Sequence, residues 1–66
     1  MIYAIYKMTQ KAIDEEMDWE EVFDKSEYKI VEEFETLEDA EKAWDSGWYD
    51  EETYGVGGVR RTTYIY

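Results

Sequence analysis

Residues 1–8, Met1-Ile2-Tyr3-Ala4-Ile5-Tyr6-Lys7-Met8, decide the fold. In a strand, successive side chains point to opposite faces of the sheet. Ile2, Ala4, Tyr6 and Met8 make one face and Tyr3, Ile5 and Lys7 the other, and both sets are largely apolar. A strand with one wet face would alternate apolar with polar residues. This one reads as a central strand covered on both faces.

The rest of the chain supplies neighbours for that strand. In residues 27–35, Tyr28, Ile30 and Phe34 fall on one face and Lys29, Val31, Glu33 and Glu35 on the other. Glu32 interrupts the apolar set, so this is a half-buried strand with an acidic outer face. Between the two strands, Thr9 is placed to cap a helix carrying Ala12, Ile13 and Met17, continuing to Val22 and Phe23. Asp18-Trp19-Glu20-Glu21 is a second start signal, with an acid three residues after the cap. Residues 9–25 therefore form one helix or two broken helical pieces, acids outward. Thr36-Leu37-Glu38-Asp39 opens the clearest helix: Thr36 caps it, and Glu38 and Asp39 suit the positive end of its dipole. Leu37, Ala40 and Trp44 share a stripe, with Ala43 beside it and Gly47 as the stop. An aromatic–acidic connection over residues 48–52 leads to Tyr54-Gly55-Val56-Gly57-Gly58, read as a flexible turn. Residues 59–66 read as a closing strand.

The expected architecture is α+β: a three-stranded, mostly antiparallel sheet with one or two helices packed on one face. With 66 residues the chain makes a single acidic domain over 1–66. Aromatics give so small a chain its core: three Trp, seven Tyr and two Phe, each able to bury roughly 150–250 Å².

Composition narrows the function classes. Cys and His are both absent, which removes the usual ligands of zinc, copper and haem; no cofactor or metal is expected. No apolar run approaches the roughly 20 residues that span a bilayer. The opening residues lack the basic start and cleavage site of a signal peptide, so a cytoplasmic location is expected. Gly55-Val56-Gly57-Gly58 has the glycines of a phosphate loop but not the Lys-Ser/Thr and helix that must follow. Asp14-Glu15-Glu16 and Asp50-Glu51-Glu52 lack the alternating spacing of a calcium loop. Paired carboxylates can perform acid–base chemistry, but only in an enclosing cleft that so short a chain scarcely provides. The chain reads as a binding protein, not an enzyme.

Charge is the dominant feature. The net charge is −11, and all 18 acids lie within residues 14–52. Only Lys25, Lys29 and Lys42 oppose them there, so that stretch carries fifteen net negative charges. Lys7, Lys11, Arg60 and Arg61 flank it with no acid among them. Arg60 and Arg61 point to opposite faces of the closing strand, one of them to pair with helix carboxylates. Acidic faces often serve only to keep a small protein soluble and monomeric. Solubility does not require segregation, however, and self-repulsion destabilises a compact state. The alternative reading is that the carboxylates imitate phosphates, which line duplex DNA at one charge per roughly 1.7 Å of axis. The candidate contact residues are Asp14, Glu15, Glu16, Asp18, Glu20, Glu21 and Asp24, with a second set at Asp45, Asp50, Glu51 and Glu52. Trp48 and Tyr49 are candidates for stacking where bases would otherwise lie.

In size, net charge, lack of Cys and acid-rich body, the chain resembles the small phage-encoded anti-CRISPR and anti-restriction proteins that mimic DNA. Phe34-Glu35-Thr36-Leu37-Glu38-Asp39-Ala40-Glu41-Lys42-Ala43-Trp44, a strand end running into a capped helix, is similar to a module common in small phage and prophage proteins. The resemblance implies a non-catalytic nuclease inhibitor in the bacterial cytoplasm. Its partner would be a basic nucleic-acid-binding protein: a CRISPR effector of the Cas9 type, a restriction enzyme, or a similar host protein. Nucleic acid itself, membranes and small-molecule ligands are not expected as partners. The rival reading is an antitoxin-like or virion interaction module that joins a basic partner through a sheet edge, without DNA mimicry.

Overall fold

The computed structural model describes residues 2–60. The elements follow in the order β1 (Ile2–Met8), α1 (Gln10–Asp14), α2 (Trp19–Lys25), β2 (Tyr28–Phe34), α3 (Leu37–Ser46) and β3 (Tyr54–Val59). The three strands form one open sheet in the order β2-β1-β3, with β1 antiparallel to both neighbours. The α+β class and the three-stranded antiparallel sheet are as expected. β1 is the central strand, and Ala4, Ile5, Tyr6 and Met8 are all buried.

Among the described residues the helices number three, where one or two on a single face were expected, and their packing covers both faces of β1. Ala4, Tyr6 and Met8 join Tyr28, Ile30 and Val59 in a cluster with Ala12, Met17 and Val22, so α1 and α2 cover that face. β2 and β3 both oppose β1 and therefore run parallel to each other. α3 carries the chain between them across β1, contacting all three strands. Ile5, which points away from the α1/α2 cluster, is wholly buried, as is Ala40 of α3. An apolar residue on each side of one strand demands a cover on each side.

Capping explains why residues 9–25 form two helices. Thr9 Oγ1 accepts from Ala12 N at 3.2 Å, and Asp18 Oδ1 accepts from Glu21 N at 2.8 Å. Between them Glu16 takes a left-handed conformation, φ 52°, which ends α1. Asp14, Glu15 and Glu16 stand at the negative end of the α1 dipole, where carboxylates disfavour continuation. α3 is capped by Thr36, whose Oγ1 accepts from Asp39 N at 3.2 Å, and ends at Gly47.

Three further sequence expectations are corrected. Strand alternation alone puts Phe34 with Tyr28 and Ile30. A bulge in β2 inserts Val31 between the Tyr6–Ile30 and Ile5–Glu32 pairs, and the extra residue resets the count. Phe34 consequently faces Tyr3, on the α3 side. Leu37, expected in the core stripe of α3, is exposed at the first turn, leaving Ala40 as the buried residue of that helix. The glycine-rich segment 54–58, expected as a turn, is itself β3, in register with β1 from Tyr54 opposite Lys7 to Val59 opposite Ile2. Of the closing strand expected over 59–66, only Val59 belongs to β3; Arg60 lies beyond it, and residues 61–66 lie outside the described residues.

Glycine suits β3 because of what lies above it. The Tyr6 ring sits over Gly55, and a Cβ at that position would come within 2.4 Å of the ring. The ring is in turn wedged among Trp19, Phe23 and Tyr28, with centroids 5.4, 5.5 and 5.7 Å away. Gly57 has φ 151°, a conformation that side-chain-bearing residues rarely adopt.

Two outcomes follow. Gly55→Ala forces the Tyr6 ring out of its cluster, and urea unfolding should show a loss of about 1–3 kcal/mol. Burial, with a smaller contribution from Tyr28, pushes the Tyr6 phenol above its usual value. The folded state then holds that proton more tightly than the unfolded one. The resulting stability is complete below about pH 10 and is lost as pH rises through the raised value. Melting temperatures measured on the alkaline side should fall less steeply for Tyr6→Phe than for the parent.

Candidate partner-binding surface

The sequence marks two acidic sets, and the fold brings parts of them together. Met8 N donates to Thr53 O at 2.9 Å, which holds the 50–53 turn against the end of β1. Trp19, the first residue of α2, donates its indole N–H to the Glu51 carbonyl at 3.4 Å. Glu16 and Glu52 line one shallow cleft with Met8, Ala12, Ile13, Met17 and Thr53. The α1–α2 turn and the Asp50-Glu51-Glu52 turn therefore meet beside the C-terminal end of β1. Their separation in sequence conceals this.

The candidate acids divide by what their side chains do. Asp18 caps α2. Asp50 Oδ1 accepts from Glu52 N at 3.0 Å, closing its own turn. Glu21 is paired with Lys25 at 2.8 Å, and Asp14 accepts from Gln10 Nε2 at 2.8 Å. The Lys25 ammonium is held above its usual value by the Glu21 hydrogen bond first and by the charge of Glu21 next, with Glu15 and Glu27 adding to it. Glu16, Glu20, Asp24, Asp45, Glu51 and Glu52 are exposed, and their carboxylates have no partner among the described residues. Asp24 and Asp45 do not line the cleft shared by Glu16 and Glu52.

The aromatic candidates also part company. Trp48 is fully exposed. Tyr49 is half-buried between Trp44, stacked at 5.3 Å and 8°, and Tyr54 at 5.3 Å. The Tyr49 ring also covers Gly47. Tyr49 thus anchors the connection from α3 to β3, and Trp48 projects from it.

Glu27, which sequence reasoning passed over, is a structural acid. It accepts from Thr9 Oγ1 at 3.1 Å and pairs with Lys11 at 3.7 Å, tying α1 to the start of β2. No local pattern marks it, because its partners lie in a different element. Lys7 and Lys29 stand directly opposite each other on β1 and β2, and Lys7 lies 5.4 Å from the Tyr54 ring centre. Arg60 is exposed just beyond β3; its carbonyl accepts from the Tyr28 hydroxyl at 3.1 Å. No carboxylate pairs with Arg60 among the described residues. Arg61, the other candidate for such a pairing, lies outside them.

The surface is shallow. The cleft between Lys7, Met8, Thr9, Gln10, Ile13 and Lys29 has about 260 Å³, below the roughly 300–1,000 Å³ of pockets that enclose a ligand. Among the described residues no three Asp or Glu side chains converge as a metal site, and no helix is long and apolar enough to cross a membrane. No family model matches the chain, and no curated protein or solved structure is significantly similar to it.

Stability measurements should separate the two kinds of acid. Asp18→Ala should cost about 1 kcal/mol through the lost cap. Glu52→Gln should leave stability unchanged or slightly raise it, because a repelling charge is removed from an unpaired position.

Proposed function

We propose that this protein is a non-catalytic inhibitor whose carboxylates occupy the nucleic-acid-binding site of a basic protein. The observation that carries the reading is the segregation of charge: 18 acids within residues 14–52, flanked by cations only. The meeting of Glu16, Glu51 and Glu52 at one end of the sheet supports it, since these acids cap nothing and pair with nothing among the described residues. A protein groove built for phosphates presents rows of Lys and Arg. Carboxylates displayed on a folded surface compete for such a row, and long-range attraction speeds the encounter. Trp48, fully exposed beside the acidic turn, supplies a flat apolar contact of the kind that bases make. By resemblance, the proposed target is a CRISPR effector nuclease, with a restriction enzyme or other basic DNA-binding protein as the second choice.

The test begins with capture from a bacterial lysate, with and without excess duplex DNA. A captured nuclease or DNA-binding protein should be displaced by DNA. Its binding should weaken steeply with salt, as the screening length falls from roughly 10 Å at 0.1 M towards 3 Å at 1 M. Reversing four free acids together (Glu16→Lys, Glu20→Lys, Glu51→Lys and Glu52→Lys) should abolish binding while circular dichroism stays unchanged. Full binding by that variant, or a partner indifferent to DNA, overturns the proposal. Single reversals are a poorer test, because each exposed charge contributes at most about 1 kcal/mol.

A further inference from the structure

The two edges of the sheet are unlike. β2 carries Lys29, Glu32 and Glu33 together with the Val31 bulge, features that spoil pairing with another strand. β3, Tyr54-Gly55-Val56-Gly57-Gly58-Val59, has no charge, no proline and an unbroken register against β1. A strand paired on one side turns alternate N–H and C=O groups outward. Among the described residues, no backbone group of residues 55–59 has a backbone partner other than β1. Gly57 lies opposite Ala4, on the α1/α2 face, and a Cβ built there meets nothing within 4 Å. Among the described residues, nothing covers the outer side of this edge or the space above Gly57.

We propose that β3 accepts an extended segment of a basic partner as a fourth strand. A second copy of this chain is a poor occupant, since each copy brings a net charge of −11 and like charges repel. The acids Asp50, Glu51 and Glu52 lead directly into β3, so one end of the edge attracts Lys or Arg on an incoming strand. A large apolar side chain on that strand fills the open space over Gly57, in the way aromatic side chains cover strand glycines. The hydrogen-bonding edge supplies affinity, and the flanking charge selects the partner. The inference takes from the proposed function only the basic character of the partner.

The probe is a short synthetic peptide alternating lysine and valine with one central phenylalanine. Its control carries the same charges but is N-methylated throughout its central part. Titrated into isotope-labelled protein, the first peptide should shift the amides of residues 54–59 and slow their exchange with solvent. The methylated peptide should bind about tenfold or more weakly, because it cannot donate to the edge. Equal binding of the two peptides, or shifts confined to the acidic turns, overturns the proposal. Self-association of the free protein through these same amides also overturns it, by assigning the edge to a second copy. The Glu16→Lys, Glu20→Lys, Glu51→Lys, Glu52→Lys variant keeps the two ideas apart. If the edge is used, the ratio of the two affinities survives in that variant whether or not nucleic-acid mimicry is correct.

Discussion

The structure depends on one arrangement: the Tyr6 ring lying across the bare backbone of Gly55 and locked among Trp19, Phe23 and Tyr28. It joins the central strand to an edge strand below and to α2 above. Each aromatic pair adds about 0.5–1.5 kcal/mol beyond the area it buries, and Tyr6 takes part in three. Trp19–Phe23 and Phe23–Tyr28, at 5.7 and 5.6 Å, close the cluster. In a chain of this length few other contacts are available, so the cluster does the work that a larger domain spreads over many side chains.

That core must hold against considerable self-repulsion. The three ion pairs among the described residues are Lys11–Glu27, Lys25–Glu21 and Lys42–Glu38, two of them between neighbouring turns of one helix. Exposed pairs of this kind contribute a few tenths of a kcal/mol to about 1 kcal/mol each. They do not offset a net charge of −11. Apolar packing and well-made caps carry the stability instead. Asp18 and Thr36 cap their helices, and Glu20, Glu21, Glu38 and Asp39 stand in first turns where the helix dipole favours them. Part of the acidity is thus placed where it stabilises the fold.

Acids with local duties leave Glu16, Glu51 and Glu52 for the recognition proposed above. Glu16, Glu51 and Glu52 stand where two turns meet beside the end of β1, and the Met8–Thr53 and Trp19–Glu51 hydrogen bonds hold those turns there. Functions based on surface contact do not need a deep pocket, and the shallow relief of this molecule suits them. The exposed indole of Trp48 stands on a firm base, because Tyr49 next to it is stacked between Trp44 and Tyr54.

How much was legible in the sequence depended on how local each signal was. The two-sided apolar pattern of residues 1–8, the caps at Thr9, Asp18 and Thr36, and the stop at Gly47 are decided by neighbours within a few positions, and all stand in the structure. The segregation of charge is likewise a property of the chain itself. The faces of β2 were legible for Tyr28 and Ile30 but not beyond them, because a bulge at Val31 is settled by pairing with β1 and moves Phe34 to the other side. Nor was β3: its three glycines have low intrinsic strand preference, and only the Tyr6 ring above Gly55 and the ladder to β1 make the segment a strand. The union of Glu16 with Glu52 and the structural role of Glu27 were hidden for the same reason. Sequence alone determined the central strand, the helix caps and the sign of the surface. Tertiary structure decided which carboxylates stand together and which strands lie at the edges of the described sheet, because both depend on contacts between residues far apart in the chain.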